Sequence, residues 1–144
     1  MTQLRLIALD EQDLDVVSAH VQDAVARVAD LAYLPSERRF VMTMNRLVWE
    51  KKRGLFGGKP ERRRSVLHFE GVSGVRFAGF SREAGDDVLS VLALRFEAGE
   101  APAGAIEIVC AGDAAIRLEV DFVEARLADL GAAWEASSQP RHKA

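Results

Sequence analysis

From Val88 to Val120 short apolar/polar alternations, as in Leu94–Glu97, Ile106–Ile108 and Ile116–Val120, are separated by turn-rich stretches, a pattern that a β-sheet with one buried face satisfies. "VLSVLALRFEAGEAPAGAIEIVCAGDAAIRLEV" reads as three strands, with turns at 98–104 and 111–113. The second turn decides the register. Drawn with two residues, it sets Ile106 against Glu119 and mixes the faces. Drawn with three, it sets Ile108 opposite Ile116, Ile106 opposite Leu118 and Glu107 opposite Arg117. Carried back one strand, the same face sets Leu94 opposite Ile108, Phe96 opposite Ile106 and Arg95 opposite Glu107. Arg95, Glu107 and Arg117 then form an outer row, a solvated charge ladder whose exposed pairs add at most about 1 kcal/mol each.

Upstream, "LRLIALD" opens with a short strand, Leu4 to Leu9. Asp10 is placed to cap a helix, and Leu9 and Leu14 hold the two positions of a hydrophobic staple. Leu14, Val17, Val21, Ala24, Val28 and Leu31 recur at three and four, predicting a helix over about 11–29. "LPSE" is a turn signal. A loop over Pro35–Arg38 pairs Tyr33 with Phe40 and Leu31 with Met42. The inward face continues through Met42 and Met44, then changes parity to Leu47 and Trp49, which predicts a bulge near Asn45 and Arg46. "SVLHFEGVSGVRFAGF" behaves alike: Leu67 and Phe69 alternate, Gly71 and Gly74 interrupt, Val75 and Phe77 resume. At the other end Asp121 and Glu124 form a capping box, and Val123, Leu127, Leu130 and Trp134 make the stripe of a second helix.

The expected fold is therefore α+β: a strongly bent, mostly antiparallel sheet of about seven strands with a helix in the N-terminal half and a helix at the C-terminal end. A pleckstrin-homology-like half-open barrel is the preferred version, and a two-layer α/β sandwich the alternative. The 144-residue length suits one domain, assigned to 1–134, with "EASSQPRHKA" (135–144) as a loose tail.

Chemistry is sparse. One cysteine, Cys110, permits no disulfide within the chain and sits in an apolar strand as a small hydrophobe. The N-terminal segment lacks a signal-peptide pattern, and no apolar run reaches the roughly 18 residues of a membrane span. The expectation is a cytoplasmic protein that is not integral to a membrane. The three histidines, His20, His68 and His142, share no ligand spacing, so no metal or other cofactor is expected. His68 and Glu70 share a strand face and form a conceivable acid–base pair, but no nucleophile accompanies them. "GLFGGK" lacks the outer glycine and the Ser/Thr of a phosphate-binding loop.

The loudest stretch is "KKRGLFGGKPERRR", residues 51–64, with seven basic residues and one Glu. Its charge of +6 against −3 for the whole chain leaves −9 elsewhere. Read as a hairpin loop it is either solvated, its charge keeping long strands from pairing with other chains, or an anion-binding finger made by Lys51, Lys52, Arg53, Lys59, Arg62, Arg63 and Arg64. Phe56 is its one aromatic, a poor endowment for reading bases. The reading that follows is a non-catalytic binding or adaptor module whose partner is another protein. One alternative is a binder of nucleic acid or of an acidic membrane or protein surface through the basic loop; another is an enzyme of unknown class around His68 and Glu70.

"LRLIALD", "AYLPSERRF", "LHFEGV", "LALRFE", "EAPAGAIEI", "AIRLEV" and "EARLADLGAAW" together resemble an uncharacterised family of short alphaproteobacterial proteins, the domain of unknown function numbered 2948. The likeness runs from Leu4 to Trp134. It implies a bacterial cytoplasmic protein and brings no activity, cofactor or site residue.

Overall fold

The computed structural model describes residues 3–48 and 61–130. In chain order these form β1 (Arg5–Ala8), α1 (Glu11–Val21), β2 (Val25–Arg27), β3 (Leu31–Leu34), β4 (Arg39–Val48), β5 (Glu61–Glu70), β6 (Val72–Ala78), β7 (Val88–Ala98), β8 (Gly104–Cys110), β9 (Ala115–Val120) and β10 (Ala125–Asp129). Single 3-10 turns at Val28–Asp30 and Pro35–Glu37 flank β3. The described residues are thus α+β, with ten strands and one α-helix rather than seven strands and two.

The registers set by apolar alternation stand. Tyr33 pairs with Phe40 and Leu31 with Met42 across the Pro35–Arg38 turn. Ile108 faces Ile116, and Ile106 faces Leu118 on one side and Phe96 on the other. The outer row Arg95, Glu107, Arg117 extends one strand further to Arg76. A register shift between Val72 and Gly74 marks the expected bulge in β6.

All pairings are antiparallel, in the order β1-β10-β5-β4-β2-β7-β8-β9-β6, with β3 on β4. β5 and β6 are consecutive in the chain yet lie third and last in this order. Only Gly71 separates them. The sheet must therefore coil so that its far end returns to its near half. Backbone bonds tie that corner: Asp121 N–H to Gly71 O at 2.9 Å, Glu70 N–H to Glu124 O at 3.0 Å and Val72 N–H to Arg38 O at 2.9 Å. Gly71 takes φ +68°, and a methyl there would come within 2.6 Å of Cζ of Phe122. The other join is β2, where Val25 pairs with Asn45 of β4 and Ser90 of β7. Phe40, Met42, Leu67, Phe69, Ile106, Ile108, Ile116 and Leu118 meet inside the coil, and α1 adds Leu14, Val17 and Val21 against β7 and β1. Each such large side chain contributes roughly 1.5–3 kcal/mol by burial.

Four expectations are corrected. The first helix stops at Val21 rather than near residue 29. Gln22 is already extended and Asp23 turns left-handed at φ 68°. Ala24, Ala26 and Val28 are then buried on an alternating pattern that includes β2. Its cap forms as expected, Asp13 N–H donating to Asp10 Oδ1 at 2.7 Å. The staple does not, for Leu9 is 63% exposed while Leu14 is buried. No bulge breaks β4 at Asn45 and Arg46. Its register with β5 runs evenly to Val48↔Glu61, and the apolar alternation ends because Arg46 itself points inward. Finally, the residues expected to begin a second helix form β10. Ala125 and Leu127 alternate inward opposite Phe69 and Leu67, and β10 gives both β5 and β1 a hydrogen-bonded neighbour that a helix cannot provide. Asp121 pairs with Arg38. Trp134 and the tail 135–144 lie outside the described residues.

Candidate functional site

Of the seven residues of the expected anion finger, Lys51, Lys52, Arg53 and Lys59 lie outside the described residues. Arg62, Arg63 and Arg64 do not belong to a loop: they continue β5, paired with Leu47, Arg46 and Asn45. The strand's period of two separates them. Arg62 and Arg64 are exposed on the outer face, while Arg63 turns inward. The Nη1 group of Arg62 donates to the backbone oxygens of Asp23 at 3.0 Å and Asn45 at 3.4 Å. Among the described residues Arg27, Arg38, Arg39, Arg46, Arg63, Arg117 and Arg126 each contact a carboxylate. Arg62 and Arg64 contact none.

The inner face of the same strands ends in a polar cluster that sequence reading missed. Arg46 donates through Nε to Asp129 Oδ1 at 3.0 Å and through Nη2 to Oδ2 at 3.1 Å. Their side chains are 6% and 2% exposed. Ser65 Oγ donates to Oδ1 at 2.6 Å, the Leu4 N–H to Oδ2 at 3.1 Å, and Arg46 Nη1 to the His20 carbonyl at 3.2 Å. Burial works to raise the pKa of Asp129. The hydrogen bonds from Ser65 and Leu4 and the charge of Arg46 outweigh it and hold the carboxyl below its ordinary value. A cavity of about 390 Å³ opens beside the cluster, with Gln3, His20, Arg46, Arg63 and Asp129 in its wall. Those charges already answer one another, Arg63 lying 3.8 Å from Asp129 and 3.4 Å from Glu61. The signal was Arg46 at the inward position after Phe40, Met42 and Met44, and an acid at the inward position of a neighbouring strand.

His68 and Glu70 do meet, Nδ1 to Oε2 at 2.7 Å, on the outer face of β5. Arg39 Nε donates to the same carboxylate oxygen at 2.8 Å. Burial works to raise the pKa of Glu70, and the hydrogen bonds from Arg39 and His68 outweigh it, so the group lies below its ordinary value. The pair borders an open depression of about 410 Å³, with Arg39, Glu124 and Arg126 as its other described lining. That lining holds no Ser, Thr or Cys. A His–Glu pair can move a proton, but the described lining supplies no nucleophile for it to activate.

Cys110 is buried, and burial pushes its thiol up to about 11, far from a reactive thiolate. Among the described residues no cluster of three or more His, Cys, Asp or Glu is placed to hold a metal ion, and no helix is long and apolar enough to cross a membrane.

No curated protein matches the sequence. A family model described as "Protein of unknown function (DUF2948)" matches residues 4–142, a span that takes in all ten strands and α1. The chain therefore belongs to the DUF2948 family.

Proposed function

We propose that this protein is a non-catalytic binding module that engages an acidic partner protein through the arginine face of β5. One observation carries the reading: Arg62 and Arg64 stand exposed two positions apart on the same outer face of β5 with no carboxylate on either, whereas seven of the other eleven described arginines each have one. Arg62 is moreover steadied by two backbone carbonyls, which orient a guanidinium without neutralising it. The described neighbours on that face are Asn45 and Leu47 rather than aromatics, which favours a protein surface over nucleic acid bases. The coiled order of the strands, with α1 against the apolar interior, supports a pleckstrin-homology-like, half-open-barrel reading of the sheet. The family resemblance and the lone buried cysteine favour a bacterial, cytoplasmic setting.

The test is capture of partners from native lysate by the wild-type chain and by R62E/R64E, at low and high salt. A partner held at low salt, released at high salt and lost in the variant is expected, because exposed charge pairs act within a Debye length of about 8–10 Å. Capture unaffected by both changes overturns the reading. Binding that instead follows single-stranded RNA or anionic vesicles in the same assay replaces the protein partner with those surfaces.

A further inference from the structure

The ten-stranded sheet ends at β6, and three features come together on this edge. First, its backbone is open. β9 takes one side, and the further backbone bonds at this end are the two at its start, Val72 N–H to Arg38 O and Asp121 N–H to Gly71 O. Among the described residues, Ser73 to Ala78 bond to no strand on their other side. Second, the edge is apolar in places. Val75 and Phe77 are only half-buried, and the Phe80 ring stands edge-on to Phe77 with centroids 5.4 Å apart. Third, it carries two cations, while the nearby acids are already engaged, Glu119 with Arg117 and Glu83 with Ser81. Arg76 is exposed, and Arg82 lies 5.0 Å above the Phe77 ring; neither has a carboxylate partner among the described residues. The edges at β1 and β3 are four residues each, against seven for β6.

An open ladder invites another strand. The charges select which one. Pairing with a second copy of β6 brings the Arg76 and Arg82 of both copies to one seam, and like charges across a ladder are destabilising. An acidic strand meets the same groups as partners. We infer that the free edge of β6 receives an extended acidic segment of a partner protein by strand addition. Apolar residues at alternate positions would lie against Val75, Phe77 and Phe80, carboxylates between them would face Arg76, and an acid at the end of the segment would meet Arg82 beside the Phe77 ring. This surface is separate from the arginine face of β5 and does not depend on it.

The probe is a dye-labelled, end-capped peptide, Glu-Val-Glu-Val-Glu-Ile-Asp, titrated into the whole chain by fluorescence anisotropy. Amide hydrogen exchange is followed at Ser73–Ala78. Saturable binding below millimolar concentration is expected, with slowed exchange confined to β6 and its flanks. R76E/R82E is expected to weaken binding about tenfold or more, two charge pairs having been reversed. The same peptide N-methylated on alternate amides keeps its charges but loses its donors, and is expected not to bind the wild-type protein. Absence of binding by the unmodified peptide, binding that survives N-methylation, or protection elsewhere than β6 overturns the inference. So does concentration-dependent dimerisation that slows exchange at β6 without peptide, which would assign the edge to a second copy.

Discussion

Arg46 and Asp129, 83 positions apart in the chain, face each other inside the sheet as a two-pronged ion pair. Both belong to the inward face whose other rows are Phe40, Met42, Leu67, Phe69 and Leu127. The pair ends the apolar core in a polar plug, with Ser65 and the Leu4 amide filling the remaining acceptor sites. A buried pair is not by itself stabilising, because desolvation cancels much of the attraction. Its removal one side at a time is another matter.

Asp129→Ala leaves the Arg46 guanidinium buried without its counter-ion and is expected to lower stability by about 3–5 kcal/mol in urea denaturation. Arg46→Met combined with Asp129→Leu removes both charges and is expected to recover most of that loss. A double variant as unstable as the single one would show that the geometry of the site, not the orphaned charge, sets the cost.

Acid will find this carboxylate. Asp129 binds its proton less tightly in the folded chain than at its unperturbed value of 3.8, so the unfolded state takes up protons first as pH falls. Its contribution is complete above that value and is lost as pH drops through it toward the lower folded value. The urea midpoint should hold from neutrality to about pH 5 and fall steeply below pH 4. Asp129→Asn should flatten that acid limb. Glu70, shifted in the same direction by Arg39 and His68, adds a smaller slope that Glu70→Gln removes.

Gly71→Ala puts a side chain into a left-handed conformation and into the Phe122 ring at once. A cost of about 1–3 kcal/mol is expected, read as a fall in Tm of several degrees. Adding Phe122→Ala relieves the contact but not the backbone, so it should restore only part of the loss. Full restoration would locate the cost in the ring alone.

Cys110 should resist a thiol reagent at pH 8 in the folded protein and react fully once urea unfolds it. Burial both hides the sulfur and raises its pKa to about 11. Fast modification without denaturant would contradict the packing of β8.

Registers were legible in the sequence wherever apolar residues alternated over a whole strand, as in Ile106–Ile108 against Ile116–Leu118 and Phe40–Met42 against Leu31–Tyr33. Element type was not legible where two periods fit the same letters. Val123, Leu127 and Leu130 sit at helical spacing, but Val123, Ala125 and Leu127 alternate equally well. The choice fell to β1 and β5, whose unpaired edges lie more than 50 residues away in the chain. In the same way Val21, Ala24 and Val28 extended the helical stripe on paper, while Asp23 and the pairing of Val25 with Asn45 and Ser90 ended the helix. The candidate site divides similarly. Arg62 and Arg64 could be named from charge alone. That Arg63 turns away to Asp129, and that Arg46 waits there, required knowing which strands are neighbours.

The pairing of Arg5 with Ala128 has a consequence for how the molecule is made. β1 leaves the ribosome well before its strand partner β10, which is translated about 120 residues later. At roughly 5–20 residues per second, that is a delay on the order of ten seconds. Throughout it Ile7 and Leu9, exposed even in the finished protein, belong to an apolar segment with no ladder to join. A nascent chain with an orphan strand is the kind of client that holding chaperones exist to shield.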